Sequence, residues 1–369
     1  MSTITAKIQI YVSSEQVNSL SITTNAYRKA CNWLSAKVFE TKELNQAKLN
    51  SSFYSTLREN FHLKSQMAQS VMKTVIARYK SAKSNGHEWS LVTFKQPEYD
   101  LVWNRDYSLN ENRFSVNTLD GRLKFHFEKQ GMKHYFDGTW KFGTAKLVHK
   151  YNKWFLHIPV TKDFEKISNT GINNVVGIDL GLNFLASTYD SKGKTEFFKG
   201  RIIKHKRGQF KTLRKQLQQR KTPSARKRLK KIGSRENRYV RDVNHQVTKA
   251  LVEQYPKGTL FVLEDLSGVR NATEKVKVRN RYVSVSWAFY QFRELLEYKA
   301  VLHGHKVMIV NPKYTSQTCP KCGHVDKRNR NKKQHTFECR NCHYKSNDDR
   351  IGAMNLYRKG VEAMSAVTS

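Results

Sequence analysis

The chain has 369 residues, with 67 Lys plus Arg against 30 Asp plus Glu, a formal net charge of +37. That length suits two or three domains, and a cationic excess of this size calls for a polyanionic partner, not for solubility alone. Hydrophobic content of 38%, with 19 Phe, 17 Tyr and 6 Trp, is too high for a disordered basic tail, so the charge is carried on folded domains.

The opening MSTITAKIQIYV is polar at alternate positions, and no apolar run approaches the roughly 18 residues that cross a bilayer, so neither a signal peptide nor a membrane span is expected. Charge spread along the whole chain favours nucleic acid over a membrane surface, and a cytoplasmic or nuclear location. Five cysteines, four of them between positions 319 and 342, fit a reducing compartment.

In chain order, Ile4, Ile8 and Ile10 alternate as in a strand, and Leu20, Thr24, Tyr27, Cys31, Leu34 and Val38 recur at helical spacing, which makes Cys31 a buried thiol. A second helix carries Ala68, Val71, Val75 and Tyr79, with Ser51-Ser52 as its cap region. From about Trp89 to Val160 the period falls to two: Leu123, Phe125 and Phe127 alternate, then Trp154, Leu156, Ile158 and Val160, with a turn at Tyr151-Asn152-Lys153. The simplest organisation is a β-rich domain from residues 1–12 and 88–170 with a helical insertion at 13–87.

The second half reads as α/β. Val175–Ile178, Leu260–Leu263 and Val307–Val310 are continuous apolar runs, the pattern of strands covered on both faces by helices. Residues 235–253 place Val240, Val243, Val247 and Leu251 on one stripe, and 287–302 place Phe289, Phe292 and Leu296 on another. This domain takes in 171–312 and 346–369, interrupted by a cysteine-rich module at 313–345. The fold class is therefore α+β and multidomain.

Between Lys204 and Arg241 lie sixteen Lys or Arg residues and one acid, Glu236. Faces built for solubility alternate in sign and this one does not, so Arg226, Lys227, Arg228, Lys230, Lys231, Arg235, Arg238 and Arg241 are candidate phosphate contacts. Aromatic residues are sparse there, which argues against base stacking.

Cys319-x2-Cys322 and Cys339-x2-Cys342 each place two thiolates at one tight turn, and together they close a tetrahedral site for one structural Zn²⁺. Gly323 falls where such a turn needs positive φ. With four Cys available, His324, His335 and His343 are not needed as ligands. Lys327, Arg328, Arg330, Lys332 and Lys333 make the tip of the module basic.

Asp179 ends the run Val175–Ile178, in GIDLGLNF, where the two glycines keep space open beside the carboxylate; Glu264 ends Leu260–Leu263 in the same manner. An acid at the end of a buried strand is costly without compensation, and two such acids point to a shared cation. Two Mg²⁺ held by three or four acids would activate water and stabilise the leaving oxygen of a phosphodiester, with Asp348 or Asp349 as the third acid. Gly193-Lys194-Thr195 is not a phosphate-binding loop, because Thr188 stands where its first glycine should be.

The succession GIDLGLNF, VLEDLSG, SWAFYQFRELLEYKA, NPKYTSQTCPKCG and a second CxxC followed by NDDRIGAMNL resembles the TnpB family of transposon-encoded, RNA-guided DNA endonucleases, closely over about residues 170–360. These share an RNase H-like (RuvC) nuclease domain with type V CRISPR effectors. The resemblance implies a catalytic and Mg²⁺-binding triad of Asp179, Glu264 and Asp349, because the family's last Asp lies six residues before an Asn, as Asp349 does before Asn355. It implies a zinc ribbon at 313–345, and a β-barrel-like wedge domain with a helical recognition insertion that reads a short flanking motif. The implied partners are a guide RNA and double-stranded target DNA, in a monomeric ribonucleoprotein. Arg235, Arg238, Arg241, Asp242 and His245 resemble the family's bridge helix, with His245 a packing residue. Arg350-Ile351 departs from the small residues usual after the last Asp. A nuclease-silent binder is disfavoured because all three acids remain, and a DDE-type transposase because the ribbon separates the second acid from the third.

Overall fold

The computed structural model describes residues 2–110, 113–128, 131–150, 152–164, 167–181, 183–266 and 288–368, in two units at 1–163 and 164–369. Tyr151 of the expected turn and Trp287 at the expected helix start lie outside the described residues.

The first unit runs β1 (Ser2–Tyr11), α1 (Ser14–Thr41), α2 (Gln46–Phe61), α3 (Ser65–Ser84), β2 (Glu98–Leu101), β3 (Tyr107–Asn110), β4 (Arg113–Asn117), β5 (Arg122–Phe127), β6 (Lys141–Phe142), β7 (Ala145–Lys150) and β8 (Lys153–Lys162). β1 pairs along its length with β8, Ile4 opposite Val160 and Ile10 opposite Trp154, and at its end with β5. The N-terminal strand therefore joins a sheet made from residues after the helices. Among the described residues the ladder runs β2-β7-β8-β1-β5-β4-β3, with β6 paired to β8. Ala6, Ile8, Ile10, Phe125, Leu156, Ile158 and Val160 are buried, as alternation requires.

Ser13 caps α1 in a reciprocal pair with Gln16, and the stripe from Leu20 to Val38 is buried. Cys31 is 1% exposed, and burial pushes its thiol far above its ordinary pKa, which leaves it inert. Ser51 and Ser52 do not cap a helix. They lie inside α2, which Asn45 caps by accepting from the N–H groups of Ala47 and Lys48. α2 ends at His62 with φ 52°, a left-handed position more often filled by glycine, so the break before α3 carries no Gly or Pro signal.

The second unit contains β9 (Asn174–Asp179), β10 (Phe184–Asp190), β11 (Thr195–Lys199), α4 (Arg201–Arg220), α5 (Pro223–Gln254), β12 (Thr259–Glu264), α6 (Phe289–Leu302), β13 (Lys306–Val310), the short strands β14 (Arg330–Asn331), β15 (Thr336–Glu338) and β16 (Lys345–Asn347), and α7 (Asp348–Thr368). The main sheet has the order β11-β10-β9-β12-β13; β9, β10 and β11 are antiparallel, and β12 and β13 run parallel to β9. One face packs Val176, Ile178, Phe261 and Leu263 against Val240, Leu251, Phe292 and Leu296 from α5 and α6. The other face packs Leu260 and Val262 against Leu356 of α7.

A Cβ at Gly177 would lie 2.1 Å from the Ala353 carbonyl oxygen, so the α7 backbone rests directly on β9. Gly193-Lys194 closes the β10–β11 hairpin: Gly193 has φ 76°, and Asp190 Oδ1 accepts from the N–H groups of Lys192 and Lys194. No helix among the described residues is long and apolar enough to cross a membrane.

Candidate functional site

The parallel pairing of β12 with β9 sets Leu263 opposite Ile178, so the next residues, Glu264 and Asp179, stand side by side where both strands end. Period two turns both acids to the α7 face. α7 begins with Asp348 and Asp349, where negative charge suits a helix N-terminus. Asn347 caps it, its Oδ1 accepting from the N–H groups of Asp349 (3.0 Å) and Arg350 (3.1 Å). The space beside Asp179 is cleared by a glycine outside GIDLGLNF. A Cβ at Gly352 would sit 2.8 Å from the Asp179 Cγ, whereas Gly177 serves the helix contact.

All three carboxyls are raised by burial, and Asp179 also feels the charges of the other two. Burial first, then the charges of Glu264 and Asp349, hold the Asp179 carboxyl well above the usual carboxylate range, with Arg330 pulling the other way. Glu264 is raised by burial, against a hydrogen bond from Thr315 Oγ1 and the charges of Lys359 and Arg330. Asp349, 7% exposed, is raised by burial and by Asp348. The cluster is short of positive charge, and its donors are carboxylate oxygens. Such donors suit a hard divalent cation, and among the described residues Asp349 groups within 4.8 Å of His335 and Asp348.

Several further residues support this cluster, and of these Thr315 carries no signal in the sequence pattern. Thr315 donates to Glu264. Asn355 is 5% exposed and donates to the carbonyls of Thr315 (2.7 Å) and Thr318 (2.8 Å), so it fastens the segment leading into the cysteine module. Arg350 explains its own departure from small residues: it donates to Thr195 Oγ1, Tyr344 Oη and Ser346 Oγ, and lies over the Tyr189 ring. Asp348 is not a free neighbour of Asp349. It is 1% exposed and accepts from Arg330 Nε at 2.7 Å.

The four cysteine sulfurs all lie within 4.8 Å of one another, with Cys319–Cys342 and Cys322–Cys339 separated by 3.6 Å. Four sulfurs tetrahedrally placed about 2.3 Å from zinc stand about 3.8 Å apart, so the set fits that ion. The two knuckles repeat one another: Cys319 N–H donates to His324 O and Cys339 N–H to Tyr344 O. Gly323 (φ 75°) and His343 (φ 55°) fill equivalent left-handed positions. Of the nearby histidines, His335 points elsewhere. Its Nδ1 is 3.5 Å from Asp348 Oδ1 and its Nε2 is 2.5 Å from Asn183 Nδ2.

The basic run forms α4 and α5, packed through Leu217, Ala225 and Ile232. Thr222 caps α5 and Pro223 opens it. Glu236, the run's single acid, is 2% exposed and pairs with Arg207 and Arg214, so these three charges pin the two helices together. Arg226, Lys227, Arg228, Lys230, Lys231, Arg235, Arg238 and Arg241 are all exposed. Replacing Arg226, Lys227, Arg228, Lys230 and Lys231 with Gln is expected to weaken nucleic-acid binding. The slope of log K against log salt should flatten by up to about 0.7–0.9 for each phosphate that is no longer neutralised. A salt titration returning the parent slope would make this a solvated face. His245 is half-buried, and its backbone carbonyl accepts from Lys299 Nζ at 2.6 Å.

Two family descriptions match the chain: "Probable transposase" (OrfB_IS605) over residues 157–273 and "Cas12f1-like, TNB domain" over 289–356. A curated CRISPR-associated endodeoxyribonuclease Cas12f1 from Syntrophomonas palmitatica is 28% identical over 67% of this chain and 52% of its own length. A TnpB-like protein of Methanocaldococcus jannaschii is 28% identical over 65% of this chain and 85% of its own. The chain thus spans about half the length of the first of these relatives. Among solved structures, a Cas12f1–sgRNA–target DNA complex superposes with a TM-score of 0.58 at 12% identity, covering 96% of this chain and 98% of that one, a likeness of fold.

Proposed function

We propose that this chain, which is similar to the TnpB and Cas12f proteins, is an RNA-guided DNA endonuclease of an insertion-sequence transposon, cutting double-stranded DNA beside a short flanking motif. The observation that carries this reading is the meeting of Asp179 and Glu264, from adjacent parallel strand ends, with Asp349 from the helix laid across them. Renumbered from β9, the sheet order is 3-2-1-4-5 with the first three strands antiparallel, the arrangement of an RNase H-like nuclease. On this reading 171–312 and 346–369 form the nuclease domain and 313–345 the zinc ribbon; 1–12 with 88–170 form the wedge and 13–87 the recognition insertion.

Asp179, Glu264 and Asp349 would hold two Mg²⁺, which when bound supply an activated water and a stabilised leaving oxygen. The chain's own residues do the rest. Thr315 orients Glu264, Asn347 and Gly352 set Asp349 and Asp179, and the exposed cations of α5 grip phosphates. Delegating sequence to base pairing accounts for a charge of +37 spent on backbone contacts. The complex would be a monomeric ribonucleoprotein in the cytoplasm of a bacterial or archaeal cell, close to the nucleoid. The test is to purify the protein with co-expressed RNA, sequence that RNA, and offer a plasmid matching it. Guide-dependent linearisation in Mg²⁺ but not in EDTA is expected. Failure to retain a defined RNA, or cutting that ignores it, contradicts the reading.

A further inference from the structure

We propose that Asp348 is a positioning residue that holds Arg330 off Asp349 and so keeps the cation site open; the inference rests on the function proposed above. Arg330 comes from β14 of the cysteine module and lies between two adjacent carboxylates. Its Nε donates to Asp348 Oδ2 at 2.7 Å, while its terminal nitrogen stands 3.8 Å from Asp349 Oδ1. The guanidinium is thus committed to Asp348 and only near Asp349. Were it to close on Asp349, a bidentate pair would occupy the oxygens a divalent cation needs.

Asp348 is built for this anchoring. It is 1% exposed, and a buried charge is retained at a cost unless a partner compensates it. Its second oxygen, Oδ1, is buried and makes no hydrogen bond, with His335 Nδ1 at 3.5 Å, and its N–H lies 3.4 Å from the His335 carbonyl. Both groups that Asp348 engages therefore belong to the cysteine module, which is how that module reaches the acids at the strand ends.

His335, Asp348 and Asp349 also lie close enough together to hold an ion themselves. Asp348 already bonded to a guanidinium favours the anchor over a ligand.

The experiment measures Mn²⁺ binding to the full-length protein without nucleic acid, by loss of the free-ion EPR signal, with zinc content and melting temperature checked for each variant. Asp348→Asn frees Arg330 to close on Asp349 and is expected to weaken Mn²⁺ binding about 10- to 100-fold, the usual effect of removing an outer-shell partner. Asp348→Asn combined with Arg330→Gln should return to within about threefold of the parent, because the competitor is gone. Arg330→Gln alone should bind Mn²⁺ at least as tightly as the parent, a test that stands even if Asp348→Asn folds poorly. A double variant as weak as Asp348→Asn would make Asp348 a direct ligand and overturn the proposal, as would weaker binding by Arg330→Gln. Mn²⁺ binding undiminished by Asp179→Ala would overturn the site reading itself and the anchor with it.

Discussion

Asp179→Ala is expected to lower guide-directed cleavage by about three orders of magnitude or more, while guide and target binding stay within a few-fold of the parent. The acid sits where β9 ends, between Glu264 and Asp349, and removing it takes a carboxylate from the cation site while every exposed cation of α5 remains. Its stability effect has the opposite sign. An acid whose pKa is raised by folding destabilises the fold as pH rises from its unfolded value through its folded one. Near neutral pH without divalent cations the parent therefore carries that penalty, and Asp179→Asn should melt higher. Added Mg²⁺ should raise the melting temperature of the parent and leave the variant nearly unmoved. A variant that melts lower in EDTA would mean that its inactivity reports misfolding.

Zinc removal is the second large effect. One Zn per chain is expected by metal analysis, and Cys339→Ser should lower it, because that change removes one of the four sulfurs gathered within 4.8 Å. Structural zinc contributes apparent free energies of about 10–16 kcal/mol in isolated fingers, far more than three short strands can replace. Cleavage should fall about 100-fold or more, since Arg330 and His335, on this module, both meet Asp348 at the start of α7. Far-UV circular dichroism should change little, because the helices and the main sheet lie outside the module. A metal-free preparation that still cuts would contradict the assignment.

Local pattern carried much of the architecture into the sequence. The helical stripe from Leu20 to Val38, the alternation from Trp154 to Val160, and the buried runs that end at Asp179 and Glu264 are all short-range statements about faces, and each is visible in the folded chain. The paired CxxC spacing likewise encodes its own geometry.

What the sequence hid is long-range or conformational. Nothing local marks His62 as left-handed, so α2 and α3 merge into one expected helix. Nothing local joins Glu236 to Arg207 and Arg214, which changes the run's only acid from an exception on a charged face to the pin between α4 and α5. Side-chain directions alone make Asp348→Ala a mild change beside Asp349→Ala. Those directions do not carry the burial of Asp348 or its bond to Arg330. Gly352 and Thr315 reach Asp179 and Glu264 only once α7 and the segment before the cysteine module fold back to the strand ends.

A plasmid cleavage assay, with the ribonucleoprotein purified from cells expressing its own RNA, bears most directly on the proposed activity. Linearisation of a plasmid that matches the bound RNA is expected, with dependence on Mg²⁺ and loss of cutting in each of Asp179→Ala, Glu264→Ala and Asp349→Ala. Robust cutting by any of these three variants, or cutting of plasmids that share nothing with the bound RNA, would show that the three acids do not form the cutting site of an RNA-guided nuclease.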